Sequence, residues 1–291
     1  MSEVIYLAIY GAINSVVYGL LLFLLASGLT VIFGMLGVLN VAHASFYMLG
    51  AYLAYTSVSS GWNFWIALLL APLFVAVLGG LTERYLLRSI RKYGHGHELL
   101  LTLGLSFVIL ELVKWIWGTE PHPVPVPALL EGSIPILDSA YPIYRLFIAF
   151  AGIVILGGMF LVIYRTKLGM IVRAAVSDST MVRAMGYDVD KLFTGVFAMG
   201  TWLAGVAGVI AAPMLSVYPG LATNALVDMF IVVVVGGLGS LMGAFIASLL
   251  LGTMQSIGVL VVPKLAMMFG FILLAVVIVW RPLGLFGERE A

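Results

Sequence analysis

The sequence predicts an all-α integral membrane protein, a polytopic bundle of about nine (eight to ten) membrane-crossing helices, and three observations lead there. The 291 residues are 63% hydrophobic and only 9% charged, with a mean hydropathy of +1.17, a balance that no water-soluble domain carries. Apolar stretches follow one another at the spacing a bilayer demands, roughly 20 residues for about 30 Å of hydrocarbon. None shows the period-2 alternation of a β-barrel, and a backbone in lipid has to satisfy its own hydrogen bonds, so the stretches are helices. The expected spans are 10–34, 41–59, 62–88, 97–118, 142–164, 191–215, 223–238, 241–261 and 265–281. With their connections they fill residues 1–291 as a single membrane domain, leaving no stretch for a soluble catalytic or nucleotide-binding unit.

The first span follows Met1 to Tyr6, which lacks the basic region and small-residue cleavage site of a signal peptide, so it is read as retained. Between the first two spans, Gly34, Gly37, Asn40, His43 and Ser45 interrupt the apolar pattern. A discontinuous helix exposes backbone amides and carbonyls that can meet a zwitterionic solute. The alternative is a plain helix–helix turn with Asn40 capping the second span and His43 as a hydrogen-bonded structural residue. After the third span, His95, His97 and Glu98 lack the spacing of a metal-binding helix and read as a solvated loop and helix start, so no metal is expected. The fourth span carries Thr102, Ser106 and the pair Glu111 and Lys114, whose i, i+3 spacing lets the two charges neutralise each other. Connection 119–141 holds Pro121, Pro123, Pro125, Pro127 and Pro135 with Glu120, Glu131 and Asp138 and no basic residue. Such proline spacing favours extended backbone, either as a stiff cap or as a docking surface for an external partner.

Connection 165–191 is the one long charged stretch. Ser177 and Asp178 can cap a short helix from Ser179 to Met185, which Gly186 would end. Met181, Ala184 and Met185 fall at i, i+3 and i+4 on one face, Arg183 sits off it, and Asp188, Asp190 and Lys191 follow. Such a helix fits a groove on another protein or forms a polar hairpin on the membrane surface; spacing alone leaves both open. Gly200, Ala204, Gly208 and Ala212 on the sixth span, and Ala244, Ser248 and Gly252 on the eighth, recur at the interval that lets helices approach closely. The seventh span has a short apolar core, Met229 to Val235, and ends in Gly236, Gly237, Gly239 and Ser240. It either crosses or turns back, and with Asp228 and Gln255 it forms a second candidate lining.

Arg84, Arg88, Arg91, Lys92, Arg165, Lys167, Arg173, Arg183, Lys191, Arg281 and Arg289 make up eleven of the 14 basic residues, and nine crossings place them on one side. The positive-inside rule makes that side cytoplasmic, with the N-terminus outside and the C-terminus inside. A net charge of +1 gives no reason to expect nucleic acid, and without cysteines the redox compartment is unmarked. No G-x-x-x-x-G-K-[ST], no G-x-S-x-G and no paired intramembrane carboxylates occur, so no catalytic residue, no bound cofactor and no ATP site are expected in this chain.

The run from Tyr18 to Tyr52 (Tyr-Gly-Leu-Leu-Leu-Phe, then Gly34-Met-Leu-Gly-Val-Leu-Asn-Val-Ala-His) resembles the opening of the branched-chain amino-acid ABC-transporter permeases of the LivH type. Arg173-Ala-Ala-Val-Ser-Asp and Ala184-Met-Gly-Tyr-Asp-Val-Asp resemble that family's cytoplasmic loop, and Gly236 to Gly243 and Trp280 to Gly287 its C-terminal landmarks. The resemblance implies a type II importer-like permease subunit of the inner membrane that translocates branched-chain or related hydrophobic amino acids. It implies a second, LivM-like permease subunit, two cytoplasmic ATPase subunits that consume the ATP, and an external substrate-binding protein. The helix around Ser179 to Met185 would then be the coupling helix seated on an ATPase, with a cytoplasmic-side gate near the first inter-span turn. A stand-alone secondary transporter or channel for small polar solutes would instead need intramembrane ion-coupling charges or an inverted repeat, and neither is clear. A polytopic membrane enzyme would need nucleophiles or metal ligands, which are missing.

Overall fold

The computed structural model describes residues 2–136 and 139–287; Asp138 and Arg289, both counted in the charge pattern, lie outside the described residues. Among the described residues each expected span is a helix. In order these are α1 (Ser2–Leu36), α2 (His43–Ser59), α3 (Phe64–Thr82), the short α4 (Arg88–Ile90) and α5 (His95–Trp117). Then come strands β1 (Ser133–Ile136) and β2 (Ser139–Pro142), α6 (Ile143–Phe160), α7 (Lys167–Ser177), α8 (Ser179–Ala184) and α9 (Val189–Leu215). The chain closes with α10 (Leu221–Gly236), α11 (Leu241–Val261) and α12 (Ala266–Trp280). Six helices among the described residues are long and apolar enough to cross a membrane; α2, α10 and α12, at 17, 16 and 15 residues, are shorter.

Three elements differ from expectation. The all-α reading needs a small hairpin added, with β1 antiparallel to β2 in the proline-rich connection before α6. The third span does not stop at 88, because a π-helical turn (Glu83–Leu87) carries it through α4 to Tyr93. The charged connection holds a second helix, α7, started by Thr166, whose hydroxyl accepts from the Gly169 amide at 3.1 Å. The seventh span is one uninterrupted helix that ends at Gly236, with Gly237 and Gly239 following it.

Small residues decide what sits at the centre. A Cβ on Gly19 of α1 would lie 2.9 Å from Leu249 Cα, and one on Gly252 of α11 2.6 Å from Gly19 Cα. Gly200 of α9 meets Gly28 and Ile32 of α1, while Gly208 meets the Tyr47 carbonyl of α2. Ala204, Ala212, Ala244 and Ser248 are fully buried, so both stripes of small residues serve packing inside the chain. The periphery is apolar and open: Leu69 on α3, Phe107 and Trp115 on α5, and Phe150 on α6 are all exposed, as expected of a lipid-facing or subunit-facing surface.

Candidate functional site

At one end of the bundle, α7, α8 and the start of α9 form a compact unit. Val182 is buried against Ala175 of α7 and Val189 of α9, a three-residue core ringed by Ile171 and Phe193. Asp178 caps α8, accepting from the Met181 amide at 2.9 Å. Ser177 does not share that role: it is the last residue of α7, and its hydroxyl donates back to the Arg173 carbonyl. Gly186 ends α8 in the left-handed region (φ 89°). Its amide donates to the Arg183 carbonyl and that of Tyr187 to Val182, the paired bonds of a Schellman stop that glycine makes without strain.

Asp188 starts α9 by accepting from the Lys191 amide at 3.1 Å. That bond, with the Lys191 ammonium 3.0 Å away, holds the Asp188 carboxyl below its ordinary value, so the cap stays ionised at neutral pH. Arg183 pairs with Asp190 at 2.8 Å and locks α8 onto α9. Met181 and Met185, expected on one apolar face, are 60% and 70% exposed, with Tyr187 beside them at 44%. Met181 on α8 and Met185 and Tyr187 in the turn that follows it thus leave three large apolar side chains in the open.

The unit is wired to α3 through charges that, in the sequence alone, speak only to orientation. Arg88 donates to the Asp190 carbonyl at 2.9 Å, and both Arg88 (3.3 Å) and Arg91 (3.1 Å) pair with Glu83, whose side chain is fully buried. Thr194 of α9 accepts from Arg88 and donates to Glu83. Glu83 is the lone acid among the basic residues of 83–92, the one signal that could have marked it.

The interrupted segment after α1 packs on α5. Gly37 takes φ 67°, the Val41 amide donates to Thr102 Oγ1 at 3.3 Å, and the Ser45 hydroxyl reaches the Ser106 carbonyl at 3.5 Å. Thus Gly37, Asn40, His43, Ser45, Thr102 and Ser106 share one region. Asn40 and His43 are buried, and their side-chain nitrogens and oxygen have no hydrogen bond of ordinary geometry. His43 stands beside the Leu25 carbonyl, in the gap left by Gly28.

Gly236, Gly237, Gly239 and Ser240 form a different structure. Ser240 caps α11 through the Gly243 amide. A Cβ on Gly239 would lie 2.6 Å from Gly34 Cα, and one on Gly284 2.5 Å from Gly237 Cα, so three glycine-bearing landmarks meet. The tail amides of Leu285 and Phe286 donate to the Val235 and Gly236 carbonyls at 2.8 and 3.0 Å, closing the end of α10. Gln255 lies far along α11 from this knot and donates to Asp228 at 3.3 Å. Asp228 in turn lines a cavity of about 180 Å³ with Tyr18, Tyr47, Tyr218 and Asn224. In the sequence these tyrosines are aromatic letters inside apolar runs, without a pattern to mark them.

At the opposite end of the bundle from α8, His122 exchanges backbone hydrogen bonds with Val217 and stacks on Tyr55, tying the proline-rich connection to the α9–α10 turn. Lys114 pairs with Glu111 at 2.7 Å as its spacing predicts, and His95 pairs with Glu98 at 3.1 Å.

Residues 11–279 match the family described as branched-chain amino acid transport system / permease component. The high-affinity branched-chain amino acid transport system permease protein BraD of Pseudomonas aeruginosa is 27% identical over 96% of this chain and 95% of its own. LivH of Escherichia coli, under the same description, is 25% identical over 100% and 99%, and a probable LivH of Methanocaldococcus jannaschii 29% over 84% and 79%. The fold is also similar to that in the structure titled PsaBC from Streptococcus pneumoniae in complex with Fab (TM-score 0.51, 11% identity, 90% of this chain and 87% of that one). Apolar spans, tightly packed small-residue helices and a match over nearly the whole chain agree: this is an integral membrane protein that belongs to the branched-chain amino acid transport permease family.

Proposed function

We propose that the chain is the permease subunit of an ATP-driven importer that carries branched-chain or related hydrophobic amino acids inward across the bacterial inner membrane. It works as a single membrane domain with nine crossings of type II importer character, N-terminus outside and C-terminus cytoplasmic. It binds no cofactor of its own, since ATP is bound and hydrolysed by two ATPase subunits. A second, LivM-like permease completes the pathway, and an external binding protein delivers the solute. The observation that carries this reading is the α7–α8 unit: a capped helix with Met181, Met185 and Tyr187 exposed, fixed through Arg183 and Asp190 to α9 and through Arg88 and Glu83 to α3. An ATPase that pushes on α8 moves two long helices at once.

The test is uptake measured beside ATP hydrolysis in the complete importer. Gly186→Val forces a β-branched residue into φ 89°, at a cost of about 1–2 kcal/mol, and Met185→Asp puts a charge on the exposed face. Both variants are expected to reach the membrane normally and to lose substrate-driven uptake relative to ATP hydrolysed. Unchanged coupling in both would remove α8 from the mechanism.

A further inference from the structure

Asp228 is a carboxylate on α10 with no cation beside it: among the described residues no Lys, Arg or His pairs with it, and its hydrogen bond comes from the Gln255 amide. Ionisable side chains within membrane helices are costly and mark the routes of solutes or ions. The cavity that Asp228 lines, about 180 Å³ and partly open, lies between α1, α2, α10 and the end of α9. Tyr47 lines it from α2, is fully buried, and has a hydroxyl without a hydrogen-bond partner. At the start of α10 the Asn224 amide donates to the Tyr218 hydroxyl at 2.8 Å. Leu21, Leu22 and Leu25 of α1 supply an apolar wall.

An anion, adjacent hydroxyl and amide donors, and branched aliphatic side chains are together the complement of an α-amino acid zwitterion with an apolar side chain. The volume falls below the roughly 300–1,000 Å³ of sites for drug-sized ligands, which suits one amino acid and excludes a peptide. His43, one turn before Tyr47 on α2, and Asn40 in the α1–α2 connection also bury polar side-chain atoms without hydrogen bonds of ordinary geometry.

Building on the importer reading above, we infer that this cavity is a transit site for a single aliphatic amino acid. Asp228 takes its ammonium, the Tyr47 hydroxyl takes its carboxylate, and Leu21, Leu22 and Leu25 receive its side chain. The bound amino acid supplies the cation that Asp228 lacks and the acceptor that Tyr47 lacks, and the leucine wall discriminates against side chains that carry charge.

The test uses the complete importer with its binding protein in proteoliposomes, scoring leucine uptake and ATP hydrolysis together. Asp228→Asn and Tyr47→Phe preserve shape. The first is expected to lower uptake by at least about tenfold, the loss of a charge-assisted contact, and the second by about threefold, the loss of a neutral one. ATP hydrolysis stimulated by the leucine-loaded binding protein should stay within about twofold of the unmutated complex, because the variants remove solute contacts and leave α8 alone. Hydrolysis and uptake falling in parallel would give both residues a structural role and overturn the site. Unchanged uptake in both variants, beside an active unmutated importer, overturns the site and leaves the importer reading standing. An unmutated complex that takes up no amino acid overturns both.

Discussion

At its glycine end α10 is closed by backbone on backbone: Gly237 against the tail at Gly284, Gly239 against Gly34 of α1, and two tail amides on its last carbonyls. Eight residues earlier, about 12 Å along the same helix, Asp228 borders an open cavity whose buried Tyr47 hydroxyl has no partner. The first arrangement leaves no slack, so displacement of one backbone displaces the others. The second tolerates polar groups without partners, which a folded interior seldom keeps unless something else supplies them. One helix therefore carries a tightly packed joint at its end and borders a cavity lined by polar groups eight residues earlier.

Breaking the joint has the largest expected effect. Gly239→Val would demand a branched side chain at φ 84° and place its Cβ inside the Gly34 backbone, where no flexible side chain can give way. A loss of about 4 kcal/mol or more is expected, seen as failed assembly or a steep fall in the thermal midpoint of detergent-purified protein. A normal midpoint would show that the joint is not tightly closed. Leu285→Pro acts on the same joint more gently. It deletes the amide that donates to Val235 and uncovers one buried carbonyl, for about 1–3 kcal/mol, readable as faster hydrogen exchange in the last turn of α10. The smallest effect is the control. Gly157 of α6 is helical, and a methyl group added there would meet nothing within 4 Å, so Gly157→Ala should gain about 0.5–1 kcal/mol. Destabilisation there would mean that a surface open in the single chain is filled by another subunit.

Helix positions are legible in the sequence because each is a local property. The apolar runs set the spans, and Gly186 and Asp178 at the ends of α8 do what their backbone and side-chain chemistry dictates. The features that the sequence conceals are set by contacts between distant residues. Strands β1 and β2 pair within a connection whose prolines point only to extended backbone. Helix α7 shows its apolar spacing at Gly169, Val172 and Ala175, but Lys167 and Arg173 mask it as part of a charged loop. Glu83 reads as a surface acid until Arg88, Arg91 and Thr194 close over it. The glycines at 236–239 mark the end of α10 rather than a break within it, and nothing local in the sequence announces their close contacts with Gly34 and Gly284.

The hydrogen bonds that complete α10 come from residues 285 and 286, which are translated after α11 and α12. During biosynthesis the helix must wait, its final carbonyls facing water or lipid headgroups, until two further segments have been inserted and the tail folds back. The order of manufacture thus delays closure of the joint, and a nascent chain stalled before Leu285 would present an unfinished helix end to the cell's surveillance machinery.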